Sequence, residues 1–250
     1  MSKKRINIID EARGFCVILM VIYHLLYSLS VIFGIEAFYG AFSTARVFQP
    51  IIPILFIFIS GVSFNLSQNN IKRGLILLLI SALITVTLLI FMPEQVIWFG
   101  ILHFLAAANI ICGLLKKPIG RIPFAVGTIL CVFLFLFTYN AQRGFFGFEG
   151  IFAYSLPRQL YSTNFLAPLG FFARDFRSAD YYPFLPWVFL FLLGIIVGRN
   201  VRDLPESLKR PHVRPLAFLG RHALFIYLVH QPIIVGAGYL ITALSGHITP

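Results

Sequence analysis

Apolar residues run along this chain in long unbroken blocks, with polar residues collected between them. Seven blocks stand out, at about 12–34, 47–66, 74–92, 97–115, 122–139, 183–199 and 215–244. Most approach the ~20 residues that an α-helix needs to cross a bilayer. A helix satisfies its backbone hydrogen bonds internally, as a span through hydrocarbon requires. The pattern predicts an all-α, polytopic transmembrane helical bundle of about seven spans, built as one integral-membrane domain over residues 1–250. The last block is long enough for its ends to leave the hydrocarbon. One connection is long, at 140–182, and mixes FFGFEGIF and TNFLAPLGFF with Arg158, Arg174, Asp175, Arg177 and Asp180. Disordered linkers are poor in aromatic residues, so this segment is expected to pack as an external loop or lid.

The first block opens with charge, in Ile9-Asp10-Glu11-Ala12-Arg13-Gly14-Phe15, and then carries His24 deep inside an apolar helix. Asp10, Arg13 and His24 share one stripe of that helix. His24 lies ~16 Å beyond Arg13 at the helical rise, near the middle of a hydrocarbon layer ~30 Å thick. Two further blocks bury a histidine: His103 in WFGILHFLAAANII and His230 in IYLVHQPII. By the same rise, His103 is ~20 Å from Lys116 and His230 ~14 Å from Arg221. An ionisable ring facing lipid is costly, so three at a similar depth are expected to converge on one polar cavity. Neutral imidazole suits proton transfer. Asn109 and Gln231 are placed to orient a substrate, and Tyr23, Tyr27 and Tyr227 to cap the pocket. Asp10 and Arg13 are expected to pair at the cytoplasmic edge, with a phosphate group as an alternative partner for Arg13. No HxxxH or HxxE pair accompanies the histidines, so no metal is expected.

Composition supports the membrane reading. Hydrophobic residues make up 59% of the chain and charged residues 12%, against about a quarter charged in soluble domains. The net charge of +11 would suggest nucleic acid in a soluble protein, but no basic and aromatic interleaving accompanies it. Its distribution follows membrane topology. Lys3, Lys4, Arg5, Lys72, Arg73, Lys116, Lys117, Arg121, Arg199, Arg202, Lys209, Arg210, Arg214 and Arg221 fall on one side of the predicted spans. Arg46, Arg143, Arg158, Arg174 and Arg177 fall on the other. Basic residues concentrate in cytoplasmic loops, which predicts a cytoplasmic N-terminus and an external C-terminus in the cell membrane. Cys16, Cys112 and Cys131 sit in apolar runs and read as small buried hydrophobes. The first block is too long for a signal-peptide core and reads as a retained span. Ser60 and Gly61 allow close helix approach, Pro183 and Pro186 mark the entry of the sixth block, and Trp98 and Trp187 fit an interfacial belt.

The stretches IDEARGFCVILMVIYH, FIFISG, FGILHFLAAANII, YYPFLPWVFLFLLGIIVG and FLGRHALFIYLVHQP occur in this order. Together they resemble the bacterial branch of the heparan-alpha-glucosaminide N-acetyltransferase catalytic domain family, related to the wider membrane acyltransferases. The resemblance covers most of the chain outside the 140–182 connection. It implies transfer of an acetyl group from cytoplasmic acetyl-CoA to a sugar amine or hydroxyl on the far side of the membrane. By that reading His24 is the base or acyl carrier, organised by Asp10 and Arg13, with His103 and His230 lining the pocket. Arg13 and Arg221 are the basic-edge residues expected to hold the donor's phosphates. The family's lysosomal enzyme places a histidine proposed to carry the acetyl group in the loop after the first matching helix. The corresponding segment here, GIEAFYGAFSTARVFQP, has none, so direct, base-assisted transfer is at least as expected as an acetyl-histidine. The expected partners are a glycan or amino-sugar acceptor and membrane lipids, with a homo-oligomer compatible and nucleic acid set aside. The rival reading is a proton-coupled transporter that uses the histidines as a relay.

Overall fold

The computed structural model describes residues 5–244 of the chain; Lys3 and Lys4 of the basic set lie outside them. In chain order its helices are α1 (Asn7–Tyr27), α2 (Tyr39–Phe48), α3 (Ile51–Phe64), α4 (Asn70–Phe91), α5 (Ile101–Leu114) and α6 (Lys116–Arg121). They continue with α7 (Phe124–Thr138), α8 (Phe184–Val197), α9 (Glu206–Lys209), α10 (Arg214–Arg221) and α11 (Ala223–Leu244). Five helical stretches among the described residues are long and apolar enough to cross a membrane, and a bent pair makes a sixth. They are Asn7–Ile32, Asn70–Phe91, Phe124–Arg143, Phe184–Asp203 and Ala223–Leu244.

The differences from the expected seven have local causes. The second block, 47–66, is mainly α3, and the helical stretch Glu36–Phe48 before it, almost wholly outside the expected blocks, joins Ile51–Phe64 in a bent pair at 43°. Pro50 lies at the bend, where its missing N–H removes a helical bond. The fourth block contains only the 14-residue α5, because the residues before it run as an extended strip. The seventh block is two helices, broken at His222, so its first turns form the separate α10. The 140–182 connection is not all helical. It holds a two-stranded antiparallel hairpin, β1 (Phe145–Phe148) with β2 (Phe152–Ser155), in the register Phe145 opposite Ser155. Gly147 in β1 has φ +114° and the closing Gly150 has φ +82°, the positive region that glycine enters freely.

The chain divides into two compact units. One comprises Met1–Phe56 with Asp203–Pro250, and the other Ile57–Arg202. In the first, α1 crosses α10 at two glycines. A Cβ on Gly14 would lie 2.1 Å from the carbonyl oxygen of Leu216, and one on Gly220 would lie 1.7 Å from that of Asp10. Small residues of this kind let helix backbones touch. After Tyr27, α1 widens into a π-turn over Ser28–Ile32, closed by Phe33 N–H to Ser28 O at 2.9 Å.

In the second unit, α3 and α8 cross in the same way. A Cβ on Gly61 would meet Phe191 O at 2.1 Å and one on Gly194 would meet Phe58 O at 2.2 Å. The fully buried Phe64 and Phe104 each meet Phe191 edge-on at this crossing. Helix α4 begins at Asn69, whose side chain caps it by accepting the N–H of Lys72 at 2.9 Å. Arg199 closes the turn after α6 by donating to the carbonyls of Ile119 (2.7 Å) and Ile122 (2.5 Å).

Candidate active site

The charged start of α1 is folded into the first unit. Asp10 and Glu11 are adjacent and so point about 100° apart around the helix, each toward a different task. Asp10 is buried and holds two guanidinium groups. Its Oδ2 accepts from Arg5 Nε at 2.7 Å and its Oδ1 from Arg13 at 3.0 Å. Arg13 also reaches Gly220 O at 3.4 Å, so the expected Asp10–Arg13 pair forms, and it forms against α10. Glu11 Oε1 accepts the backbone N–H groups of His212 (2.6 Å) and Val213 (3.0 Å), just before α10 begins. A carboxylate there satisfies orphan donors and complements the positive end of the helix. Arg221, at the far end of α10, is exposed and donates Nε to Ala217 O at 3.1 Å.

Three turns further along α1, the structure brings His24 and His230 together. Nε2 of His230 is 3.1 Å from Nδ1 of His24, with ring centroids 4.9 Å apart. His230 Nδ1 faces the carbonyl oxygens of Tyr227 (2.7 Å) and Ile226 (3.2 Å). Carbonyl oxygens only accept, so these partners assign the proton of neutral His230 to Nδ1 and leave a lone pair on Nε2. His24 Nδ1 is then the donor between the rings, and the basic lone pair of His24 is on Nε2. The arrangement is a directed chain from His24 Nε2 to the backbone of α11. Proton uptake at His24 leaves a cation whose Nδ1–H already points at an acceptor.

The remaining expected residues of this unit lie on the same two helices as the pair. Gln231 Oε1 accepts from Ser28 Oγ at 3.4 Å, tying α11 to the first residue of the π-turn. Tyr27 packs edge-on against Phe42, and Tyr23 lies edge-on to the His24 ring. Tyr227 contributes its carbonyl to His230 and its ring to a tilted contact with it.

His103 and Asn109 belong to the second unit. His103 Nε2 is 3.3 Å from Thr85 Oγ1 on α4, and its ring stacks on Phe99. The Thr85 hydroxyl is 2.6 Å from Ile97 O, its shortest acceptor. Spending its one proton there makes Thr85 the acceptor for His103 Nε2–H and places the ring's lone pair on Nδ1. That Nδ1 is buried with no hydrogen-bond partner among the described residues. Asn109 is fully buried and donates to Leu105 O at 2.7 Å, while its Oδ1 is likewise without a partner there. Among the described residues no group of three His, Cys, Asp or Glu side chains is placed to hold a metal ion.

Several contributors were not singled out in the sequence. Glu11, Ser28 and Thr85 are ordinary polar residues at helix positions, and their partners lie 201, 203 and 18 residues away. Only Gly14 and Gly220 carried a local signal, a small residue beside an arginine in ARG and LGR.

Comparison with known proteins gives one finding. The family model described as heparan-alpha-glucosaminide N-acetyltransferase, catalytic, matches residues 5–232. No curated protein and no solved structure matches the chain.

Proposed function

The chain belongs to the heparan-alpha-glucosaminide N-acetyltransferase catalytic family, and from this membership we propose that it moves an acetyl group from cytoplasmic acetyl-CoA to a sugar amine or hydroxyl on the outer side of the membrane. The observation that carries the proposal is the His24–His230 pair, 3.1 Å apart and given its direction by the Tyr227 carbonyl. An acceptor amine or hydroxyl must lose a proton as it attacks the thioester carbon. His24 Nε2 takes that proton, and His230 steadies the resulting imidazolium through the Nδ1–H bond. The new bond to the acceptor forms as the carbon–sulfur bond breaks, and the thiolate of coenzyme A leaves and is reprotonated. The histidine-free segment after α1 is consistent with direct transfer, without an acetyl-enzyme.

The donor edge is assigned to Arg13 and Arg221, with Asp10 orienting Arg13. Gln231 and Tyr27 are assigned to the pocket around the pair, and His103 and Asn109 to acceptor recognition. Residues 1–250 are treated as one acyltransferase-like domain. With α5 and the extended strip before it counted as a seventh crossing beside the six, the basic asymmetry of the connections supports a cytoplasmic N-terminus and an external C-terminus. A glycan or amino sugar is the acceptor class, and membrane lipids surround the apolar helices.

The test is transfer itself. Full-length protein purified in detergent is incubated with radiolabelled acetyl-CoA and a panel of amino sugars and cell-envelope glycans. Label is expected in an acceptor product, with thioester consumed in equal amount. Loss of a positioned base costs about 10²–10⁴-fold in rate, so His24→Ala is expected to remove most turnover while coenzyme binding and detergent stability stay near wild type. Unimpaired turnover in His24→Ala would move the base elsewhere. The same imidazole chain also suits a proton relay, which keeps a proton-coupled transporter as the second reading. Uptake driven by a pH gradient in proteoliposomes, without thioester consumption, identifies that alternative.

A further inference from the structure

The end of the 140–182 connection is docked along the strip that leads into α5. Ala179 N–H donates to Val96 O at 3.0 Å, and Tyr182 N–H to Phe99 O at 2.9 Å. Trp98 N–H donates to Ser178 Oγ at 3.1 Å, and Phe99 and Tyr181 form a parallel bridge. Between these bonds, Asp180 Oδ2 accepts the N–H of Ile101, the first residue of α5, at 3.0 Å. A helix start usually receives this bond from the side chain of its own cap residue. Here the cap residue is Gly100, which has no side chain, and a Cβ at Gly100 would fall 2.5 Å from Asp180 Oδ2. The carboxyl group from the connection occupies the space a side chain would need. His103 follows two residues after Ile101.

We propose that Asp180 is a positioning residue: by capping α5 in place of Gly100 it fixes the start of the helix that carries His103, and it couples docking of the 140–182 connection to use of the acceptor. The coupling rests on the assignment of His103 to acceptor recognition. The titratable groups on the neighbouring segments are Glu94, His103, Arg174, Asp175, Arg177, Tyr181 and Tyr182. Arg177 turns to the carbonyls of Arg174 and Phe176, the Tyr181 hydroxyl to Ala167 O, and His103 to Thr85. The proton on Asp180 is therefore governed by its own surroundings. Burial pushes its carboxyl up from 3.8 to about 6, against the opposing pull of the Ile101 N–H. A carboxyl raised on folding contributes stability that is complete below its unfolded value and is lost as pH rises through the folded one. Docking is accordingly tight when Asp180 is protonated and looser when it is ionised.

The chain has two tryptophans, Trp98 and Trp187, and the backbone of Trp98 is part of the docked strip. In full-length Trp187→Phe protein, Trp98 fluorescence is expected to titrate with a midpoint near 6. Asp180→Asn, which keeps an acceptor for Ile101 N–H without the charge, should hold the low-pH signal throughout. Asp180→Ala and Gly100→Ala should both hold the undocked signal. Misplacing a group by about 1 Å can cost on the order of 10²-fold, so Asp180→Ala should lower kcat/KM for the acceptor by roughly 10–100-fold with the donor KM unchanged. Asp180→Asn should retain acceptor use and lose its pH dependence near 6. The proposal is overturned if Asp180→Asn behaves as Asp180→Ala in both assays, or if Trp98 responds to neither. A protein whose Trp98 titrates as expected but which transfers no acetyl group supports the clamp and overturns the acetyltransferase reading.

Discussion

Arg13 is held by the fold, and the proposed function also gives it the donor's phosphates. Its guanidinium is held by Asp10 at 3.0 Å and by Gly220 O at 3.4 Å, with the side chain 17% exposed. A planar guanidinium fork is the geometry that binds carboxylates and phosphates in two-point contact, which a point charge cannot reproduce. Hydrogen bonds to charged groups are worth ~1.5–3 kcal/mol, so Arg13→Gln is expected to raise the donor KM by roughly 10–100-fold and the acceptor KM far less. Arg13→Lys should restore only part of the loss. Equal changes in both constants, accompanied by lost detergent stability, would make the residue purely structural. The Asp10–Arg13 pair was legible because a spacing of three residues puts both groups on one helix face. The depth of His24 was legible too, from the helical rise. Its pairing with His230 was not, because 206 residues separate them and a local pattern carries no information about that distance. The same holds for Glu11, which caps a helix start 201 residues away.

At the scale of elements, the two glycine crossings do most to define the packing. The Cβ of an alanine at Gly220 would sit 1.7 Å from the Asp10 carbonyl, which is backbone and has little room to yield. Gly236 on α11 offers a matched control, with nothing within 4 Å of a Cβ placed there. Overpacking typically costs about 1–3 kcal/mol, so Gly220→Ala should lower the thermal midpoint in detergent clearly. Gly236→Ala should be neutral or slightly stabilising, because alanine is the better helix former. Equal midpoints for the two variants would show that α1 and α10 do not meet as closely as described. The apolar runs disclosed most helices because hydrocarbon forces each span to satisfy its backbone internally. They could not disclose the break at His222, since FLGRHALFIYLVH stays apolar on both sides of its Arg-His step. The hairpin and the π-turn escaped for a related reason. Both depend on backbone geometry, with no change of hydrophobic period to announce them.

For the molecule as a whole, part of the basic asymmetry is consumed by the fold. Arg199 closes the turn after α6, and Arg202 donates to Asn65 O at 2.8 Å. These two cations cap helix ends and contribute less to a phosphate-attracting edge than their number suggests. The span lengths are unequal in a way that reaches beyond the protein. Helix α4 has 22 residues and its neighbour α5 has 14, or ~33 Å against ~21 Å at the helical rise. A bilayer with a ~30 Å core fits the first and exceeds the second, a mostly buried helix that exposes only Ile111 and Leu114 near its end. Lipid answers such a hydrophobic mismatch by thinning locally, at a cost of fractions of a kcal/mol per Å. Transfer measured in proteoliposomes should therefore rise, or at least hold, in lipids with short acyl chains and fall as the chains lengthen, at constant thermal stability. A rate indifferent to chain length would mean that the surrounding helices shield α5 from the lipid. If the bilayer thins at α5, water from the two faces comes closest at the helix that carries His103. Under the proposed acetyl transfer, a sugar from one compartment and a thioester from the other would then have less oil to cross before they meet.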